Sequence, residues 1–109
     1  MAYGFTQDYD INIDWTHKGA LIAQDVPVTV TVGVDSHDWE DGAEAMVVID
    51  MTFGIDDMNL VNPQRINNGS RMLECQIWED IEKAVAEAVE ETFAEDWREE
   101  FGAPRKEAA

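Results

Sequence analysis

Alternating apolar and polar residues predict a first strand near the start of the chain. Along residues 8–15, two aromatic and two isoleucine side chains occupy every second position, with three aspartates and an asparagine between them. The apolar set is Tyr9, Ile11, Ile13 and Trp15, and the polar set is Asp8, Asp10, Asn12 and Asp14. A period of two is typical of a half-buried strand. We therefore predict a strand over about 8–15 with one buried face and one acidic face.

Two further strands are predicted downstream, at about 20–34 and 44–56. His17-Lys18-Gly19 predicts a turn before the second strand, whose valines alternate from Val26 to Val34. The third strand is predicted from six apolar residues that share one face: Ala45, Val47, Ile49, Met51, Phe53 and Ile55. Short connections between consecutive strands favour an antiparallel meander, which buries one face and leaves the Asp- and Thr-lined face in water.

A long helix is predicted over about 71–101, after a loop at 57–70. Ser70 is suited to cap its first turn, and Gly102 followed by Pro104 predicts where it ends. At 1.5 Å per residue, a helix of about thirty residues is roughly 45 Å long. The predicted fold is α+β, a three-stranded antiparallel β-meander packed on one long C-terminal α-helix (β-β-β-α). We interpret residues 1–109 as a single domain with a short tail at 102–109.

The apolar residues of the helix recur every four positions: Leu73, Ile77, Ile81, Val85, Val89, Phe93, Trp97 and Phe101. A step of four advances about 40° beyond a full turn, so the stripe winds around the helix. We therefore expect Phe93, Trp97 and Phe101 to face away from the surface that Ile77 and Val85 bury. Two interpretations remain open. Either the helix bends or breaks near residue 92 and these aromatics cap the same core, or an overhanging end contacts a second copy or a partner.

The charge of the chain is its most unusual property. It has 24 acidic and 7 basic residues, a net charge of −17 with histidine neutral. Self-repulsion of this size destabilises a compact fold and therefore calls for an explanation. Disorder is excluded, because 45% of the residues are hydrophobic and regularly patterned. Nucleic acid is excluded as a direct partner, since its phosphates would be repelled. The acidic surface of a halophilic protein is an explanation that needs no partner.

The acids are segregated along the chain. Residues 59–73 contain no acid and two arginines, whereas residues 74–101 contain eleven acids and only Lys83 and Arg98 as bases. Ordinary helix surfaces intersperse both signs. Acidic rows spaced about 6 Å apart on a helix, or about 3.3 Å per residue on a strand, loosely approximate the phosphate spacing of about 3.4 Å along each DNA strand. The acid-free segment 59–73 is either a contact loop or a linker.

These features favour a small acidic binding protein that mimics nucleic acid and inhibits a DNA- or RNA-binding protein. Small viral proteins that resemble DNA and block restriction or CRISPR effectors are the functional class it is similar to. The predicted partner is a basic nucleic-acid-binding protein, with no direct nucleic-acid or membrane contact. The predicted partner-binding residues form two groups that face different sets of partner arginines. The sheet and loop group is Asp10, Asp14, Asp38, Glu40 and Asp41, and the helix group is Glu87, Glu91, Glu95 and Glu99. The alternative is an oligomeric structural or assembly protein, for instance a homodimer formed through Phe93, Trp97 and Phe101, with the acids keeping it soluble.

No pattern in the chain predicts catalysis, and we expect neither a cofactor nor a metal. Ser36-His37-Asp38 has the residue types of a hydrolase triad, but adjacent side chains cannot converge in that geometry. The loop at 35–41 offers oxygen ligands for Ca²⁺ or Mg²⁺ without the spacing of an EF-hand. The single cysteine, Cys75, cannot form an intramolecular disulfide, which favours a reducing compartment. With no secretion signal and no membrane-spanning run, we expect a cytoplasmic protein, in its own cell or in a host.

Overall fold

A computed structural model describes residues 3–65 and 72–101, with the backbone alone at residues 3, 36–39 and 65. Its strands and helix, in chain order, are β1 (Tyr3–His17), β2 (Ala20–Asp35), β3 (Val47–Phe53), β4 (Met58–Leu60) and α1 (Met72–Phe101). An acidic 3-10 segment (Ser36–Ala45) joins β2 to β3, and a 3-10 turn (Pro63–Arg65) follows β4.

The four strands form one antiparallel sheet in the order β1-β2-β3-β4, and α1 packs against one of its faces. This confirms the predicted α+β class, an antiparallel meander packed on one C-terminal helix. The structure has four strands rather than the three predicted, because β4 lies within the predicted loop 57–70. Three residues are too few to show an alternating pattern. The predicted third strand, 44–56, also extends past β3 at both ends.

A tight turn at Lys18-Gly19 joins β1 and β2 into a long hairpin. Both residues have positive φ, 51° and 83°, as a two-residue type I′ turn requires. Further along the hairpin, Asp25 also has a positive φ of 54°, at a point where β2 carries one residue more than β1. The Asp14 carboxylate stabilises this bulge by accepting a hydrogen bond of 2.9 Å from the Asp25 backbone N–H.

A bulge in β3 changes which of its residues face the core. Thr31 pairs with Asp50 while Val32 pairs with Val48, so Ile49 is an extra residue in β3. Because a bulge reverses the alternation, Val48 is buried at 7% exposure, and Val47, predicted inward with Ile49, is 44% exposed. The alternation holds beyond the bulge, where Met51 and Phe53 are buried as predicted, and in β2, whose five valines all face the core.

Helix α1 lies along β1 and runs antiparallel to it. The Phe5 ring near the start of β1 contacts the end of α1, whereas Trp15 near the end of β1 bonds to Asp80. The molecule measures 51 × 30 × 23 Å, and a strand the length of β1 spans roughly 50 Å. Helix α1, at about 45 Å, is therefore no longer than β1 and does not extend beyond the sheet. The buried core residues are Val26, Val28, Val30, Val32, Val34, Val48, Met51, Phe53, Leu60, Ile77, Trp78, Ile81, Val85, Val89 and Phe93.

The winding aromatic stripe stays on the core, as the first of the two interpretations held, but without the bend or break near residue 92 that it required. Phe93 is fully buried and Trp97 is partly buried against the same core, although α1 continues unbroken to Phe101. The Phe5 ring lies 5.6 Å from the rings of Phe93 and Trp97 and 5.3 Å from that of Phe101. Strands twist, so the surface beneath a long helix rotates along its length. A stripe with a step of four follows such a surface. Phe101 itself is 43% exposed.

Candidate acidic interface

The sheet face that points away from α1 carries a polar ladder made of Asp and Thr side chains. The Thr29 hydroxyl donates to Asp10 Oδ1 at 2.8 Å, and the Thr31 hydroxyl donates to Asp8 Oδ1 at 2.6 Å. Asp50 lies beside Thr31 on the neighbouring strand and is exposed. Each threonine aligns one carboxylate oxygen within the face and leaves the second oxygen for another donor. Asp10, a predicted site residue, thus belongs to an ordered anionic surface.

Asp14, the other site residue predicted on β1, lies toward the hairpin end of the same face. Its side chain is exposed, and one oxygen is used in the bulge bond from Asp25. Successive outward positions of a strand are two residues apart. Along β1, Asp8 is therefore roughly 7 Å from Asp10, and Asp10 is roughly 13 Å from Asp14. We call the outward carboxylates Asp8, Asp10, Asp14 and Asp50 the sheet acidic face.

The acidic 3-10 segment packs on the C-terminal end of α1. A Cβ placed at Gly42 would lie 3.6 Å from Trp97 Nε1, so this backbone passes close over the indole. Glu40 and Asp41, which immediately precede Gly42, are exposed. Sequence reasoning placed these loop acids with the sheet acids, whereas the structure brings them to the end of the helix. Asp38 lies in the same segment, and its side chain is outside the described residues.

The four glutamates predicted as a row on the helix are all exposed: Glu87, Glu91, Glu95 and Glu99. Each step of four residues advances about 6 Å along the axis. The row lies opposite the buried stripe and winds with it, because both have the same spacing. Glu95 and Glu99 are each two positions from Trp97, about 160° away around the helix, so they point away from the 3-10 segment that packs on Trp97. We call Glu91, Glu95 and Glu99 the helix-end acidic face.

The two acidic faces lie on different layers of the molecule and do not form one site. The sheet acidic face points away from α1, whereas the helix row points away from the sheet. The predicted partner-binding acids thus lie on separate faces of the molecule, and the loop acids lie at the helix end rather than with the sheet acids. Sequence reasoning assigned Asp38, Glu40 and Asp41 to the sheet group, and it left Asp8 and Asp50 off the list of partner-binding residues.

Two further carboxylates on α1, which sequence reasoning did not single out, face the protein rather than water. Asp80 accepts hydrogen bonds from Trp15 Nε1 at 2.8 Å and from His17 Nδ1 at 2.9 Å. Asp96 accepts a short hydrogen bond from the Tyr9 hydroxyl. The sequence shows only that both aspartates are next to residues of the apolar stripe; their pairing with Trp15 and Tyr9 of β1 depends on how α1 lies on the sheet.

The Tyr9–Asp96 contact also affects the ionisation of the tyrosine. Burial of the phenol raises the pKa of Tyr9 above its ordinary value of about 10, and the hydrogen bond to Asp96 together with the negative charge of that carboxylate raises it further. Tyr9 therefore stays protonated across the physiological range and remains a donor. This bond fixes the C-terminal half of α1 to β1, as the Asp80 bonds fix its N-terminal half.

Three of the seven Lys and Arg side chains are described, those of Lys18, Lys83 and Arg98. None of the three forms an ion pair with a carboxylate. The Asp80 carboxylate contacts His17 at the hairpin end, away from the exposed acids of either face. Among the described side chains, therefore, no Lys or Arg neutralises the charge of the sheet and helix-end acidic faces.

Within the described ranges, no three His, Cys, Asp or Glu side chains converge in a way that could hold a metal ion. The helix in the described part of the chain is not apolar enough to cross a membrane. Comparison of the chain with protein-family models gives no match, and comparisons with curated proteins and with solved structures also give none.

Proposed function

We propose that this chain is an acidic binding protein that occupies the basic, nucleic-acid-binding surface of another protein. The observation that carries the proposal is the pair of acidic faces, whose carboxylates are exposed and lack Lys or Arg partners among the described side chains. A single-sign surface raises the rate of association with an oppositely charged partner. The same surface repels nucleic acid, so the partner is the protein that binds the nucleic acid.

The spacing of the acids supports imitation of a phosphate backbone. Neighbouring outward carboxylates on β1 and on α1 lie roughly 6 to 7 Å apart, about twice the axial spacing of phosphates along one DNA strand. Rigid elements hold both rows, and the threonine hydroxyls of β2 orient two of the sheet carboxylates. A partner groove lined with arginines could therefore meet a preordered anionic surface at little cost in side-chain entropy.

The alternative, assembly through the aromatic helix end, gains less support. Phe93 is fully buried within its own chain, and Trp97 is covered in part by Phe5 and by the backbone at Gly42. What remains for a second copy is the partly exposed ring of Phe101, together with whatever surface surrounds it. Single exposed apolar side chains are common on monomeric proteins and do not by themselves indicate an interface.

Binding to a basic partner can be tested with pairs of variants that remove equal charge from different surfaces. Asp10→Asn with Asp14→Asn changes the sheet acidic face and keeps the hydrogen-bond acceptors that Thr29 and Asp25 use. Glu95→Gln with Glu99→Gln changes the helix-end acidic face in the same way. Asp56→Asn with Asp57→Asn is the control, because these turn residues lie outside both faces and asparagine tolerates their positive φ.

The experiment captures nucleic-acid-binding proteins on the immobilised chain at low salt, with duplex DNA as competitor, and measures the affinity of each captured protein for the variants. We expect duplex DNA to displace the partner, and at least one acidic-face pair to weaken binding about tenfold more than the control pair. Equal weakening by all three pairs would mean that net charge alone is responsible. Failure to retain any basic protein at low salt would refute the proposed function.

A further inference from the structure

A cavity of about 520 Å³ lies at the β4 edge of the sheet, where the fourth strand ends early. β4 pairs only with Met51–Phe53 of β3, so within the described residues Val47–Asp50 have a strand partner on the β2 side alone. β4 ends at Leu60, and the chain turns at Pro63–Arg65 after Val61 and Asn62, which also line the cavity. An unpaired strand edge presents backbone N–H and C=O groups that can bind another strand.

The cavity crosses the plane of the sheet. Asp50, Thr52 and Asn59 line it from the outer face, while Met51, Leu60 and Trp78 line it from the buried side. Consecutive residues of β3 point to opposite faces, so a cavity that touches both sets lies beside the strand and in line with β4. Its volume falls in the range of about 300 to 1,000 Å³ that is typical of ligand pockets.

Trp78 lines the cavity from the buried side and carries an unpaired donor. The side chain is 1% exposed, and within the part of the chain that the structure describes its Nε1–H has no hydrogen-bond acceptor. Buried N–H groups in folded proteins are nearly always paired, and an unpaired one calls for a specific reason. Nε1 is itself enclosed, so an oxygen acceptor on a bound group would reach this donor once the Trp78 side chain or its neighbours shifted.

Asp50 defines the chemistry on the opposite side of the cavity. Its side chain is exposed and, among the described residues, makes no hydrogen bond or ion pair. Its neighbour Thr31 on β2 donates a hydrogen bond to Asp8, so a second carboxylate lies on the same face of the sheet, on β1. An incoming strand that placed a cation beside Asp50 would gain an opposite-charge pair on this face.

We propose that the open edge of β3 binds an extended segment of a basic partner protein as an added strand. In this arrangement a Lys or Arg side chain of the segment lies beside Asp50, and the next residue directs a hydroxyl or amide oxygen toward Trp78 Nε1. The segment thus alternates basic and neutral polar residues, as the two faces of a strand require. The proposal rests on the basic-partner function above and adds how one segment of that partner is bound.

Two synthetic peptides of about six residues, equal in composition and charge, test the proposal. One alternates lysine and threonine, and the other places all lysines before all threonines. Binding is followed by ¹H–¹⁵N NMR of the full chain, through the backbone amides of Val47–Asp50 and the indole N–H of Trp78. We expect the alternating peptide to bind about tenfold more tightly, to shift the Trp78 indole signal and to protect these amides from hydrogen exchange.

Variants identify the groups responsible. Trp78→Phe keeps an aromatic ring and removes the donor, so it should reduce the affinity for the alternating peptide to that for the block peptide. Asp50→Asn should weaken binding more than Asp56→Asn, which removes the same charge from the adjacent turn and does not line the cavity. If Trp78→Phe fails to fold, the Asp50 comparison and the NMR shifts still decide.

The outcomes separate strand addition from the proposed function. Equal affinity for both peptides, with Val47–Asp50 unchanged, would overturn strand addition while leaving a basic partner in place. Perturbation of β1 amides instead of β3 amides would overturn the assignment to this edge. Binding of neither peptide at low salt would overturn strand addition and count against the basic-partner function as well.

Discussion

Asp80→Asn is the substitution that most directly tests how α1 is held against the hairpin. The Asp80 carboxylate lies between two donors. Trp15 Nε1 is 2.8 Å from Asp80 Oδ2, and His17 Nδ1 is 2.9 Å from Oδ1 and 3.1 Å from Oδ2. A carboxylate only accepts hydrogen bonds, so His17 carries a proton on Nδ1. Asparagine has nearly the same shape, but it can accept with one group only and turns its NH₂ toward the other donor.

The expected loss follows from these contacts. Hydrogen bonds to a charged acceptor contribute about 1.5 to 3 kcal/mol each, roughly twice as much as neutral ones. One bond becomes neutral and the other is lost. Because 12% of the Asp80 side chain and 32% of the His17 side chain are exposed, water partly compensates on the histidine side. We expect the free energy of unfolding to fall by about 2 to 3 kcal/mol.

Urea unfolding followed by far-UV circular dichroism measures this loss without depending on Trp15 fluorescence. Glu79→Gln is the matched control, because Glu79 is exposed on the same helical turn and its substitution removes the same charge. We expect the control to change the free energy of unfolding by less than about 0.5 kcal/mol. The denaturant dependence should be unchanged in both variants, as it is when only the stability of the native state differs.

A loss below about 0.5 kcal/mol for Asp80→Asn would refute this account of how the hairpin is fixed to the helix. A double-mutant cycle with Trp15→Phe separates the two bonds, since phenylalanine keeps a ring near Phe53 and removes the indole donor. We expect a coupling of about 1 kcal/mol or more between Trp15 and Asp80. Additive effects would assign the loss to removal of the carboxylate charge.

Three further outcomes are expected. Tyr9→Phe removes the hydrogen bond to Asp96 and should lower the free energy of unfolding by about 1 kcal/mol near pH 8. Because the folded-state pKa of Tyr9 is raised, the stability of the wild type falls as the pH rises above about 10, so the difference from Tyr9→Phe in urea unfolding should shrink by about pH 11. Parallel pH profiles of the two proteins would contradict this. Gly54→Ala should destabilise the chain by about 2 kcal/mol or more in thermal unfolding, because its Cβ would lie 2.5 Å from Pro27 Cγ and 2.7 Å from Pro27 O. Phe101→Ala should cost about 1 to 2 kcal/mol and leave the mass measured by light scattering at about 0.5 M salt unchanged, whereas a lower mass would favour assembly through this end.

The parts of the fold that could be predicted are those in which a pattern persists over many residues. The five alternating valines of β2 are all buried, and the long apolar stripe identifies α1 within a residue of its observed ends. The inward residues of β3 could not be predicted in full, because the bulge at Ile49 reverses the alternation. β4 has three residues, and pairing with Met51–Phe53 rather than its own composition defines it.

The candidate site shows the same division. Exposure of the acidic rows could be predicted, because alternation on β1 and a step of four on α1 specify faces. The position of the loop acids depended on tertiary packing, since the close passage of Gly42 over Trp97 brings the 3-10 segment to the helix end. Nothing in the local sequence specifies that contact. The unpaired donor of Trp78 and the open edge beside Asp50 follow from where β4 stops, which depends on pairing over distance.

The geometry of the exposed acids also indicates where the cost of the net charge lies. Carboxylates about 7 Å apart repel each other by about 0.6 kcal/mol in water, and the screening length at physiological salt, about 8 Å, is too long to remove this. Asp80 and Asp96 offset their own charge through donors on β1, whereas the sheet and helix-end acidic faces lack cationic partners among the described side chains. Because each neighbouring pair adds repulsion, ordered rows of acids cost more than the same acids scattered. A basic partner would relieve the repulsion only on the face that it contacts, whereas concentrated salt would relieve it on both faces. A specific partner therefore predicts unequal effects of the two acidic-face variant pairs on binding, and a general effect of salt predicts equal ones.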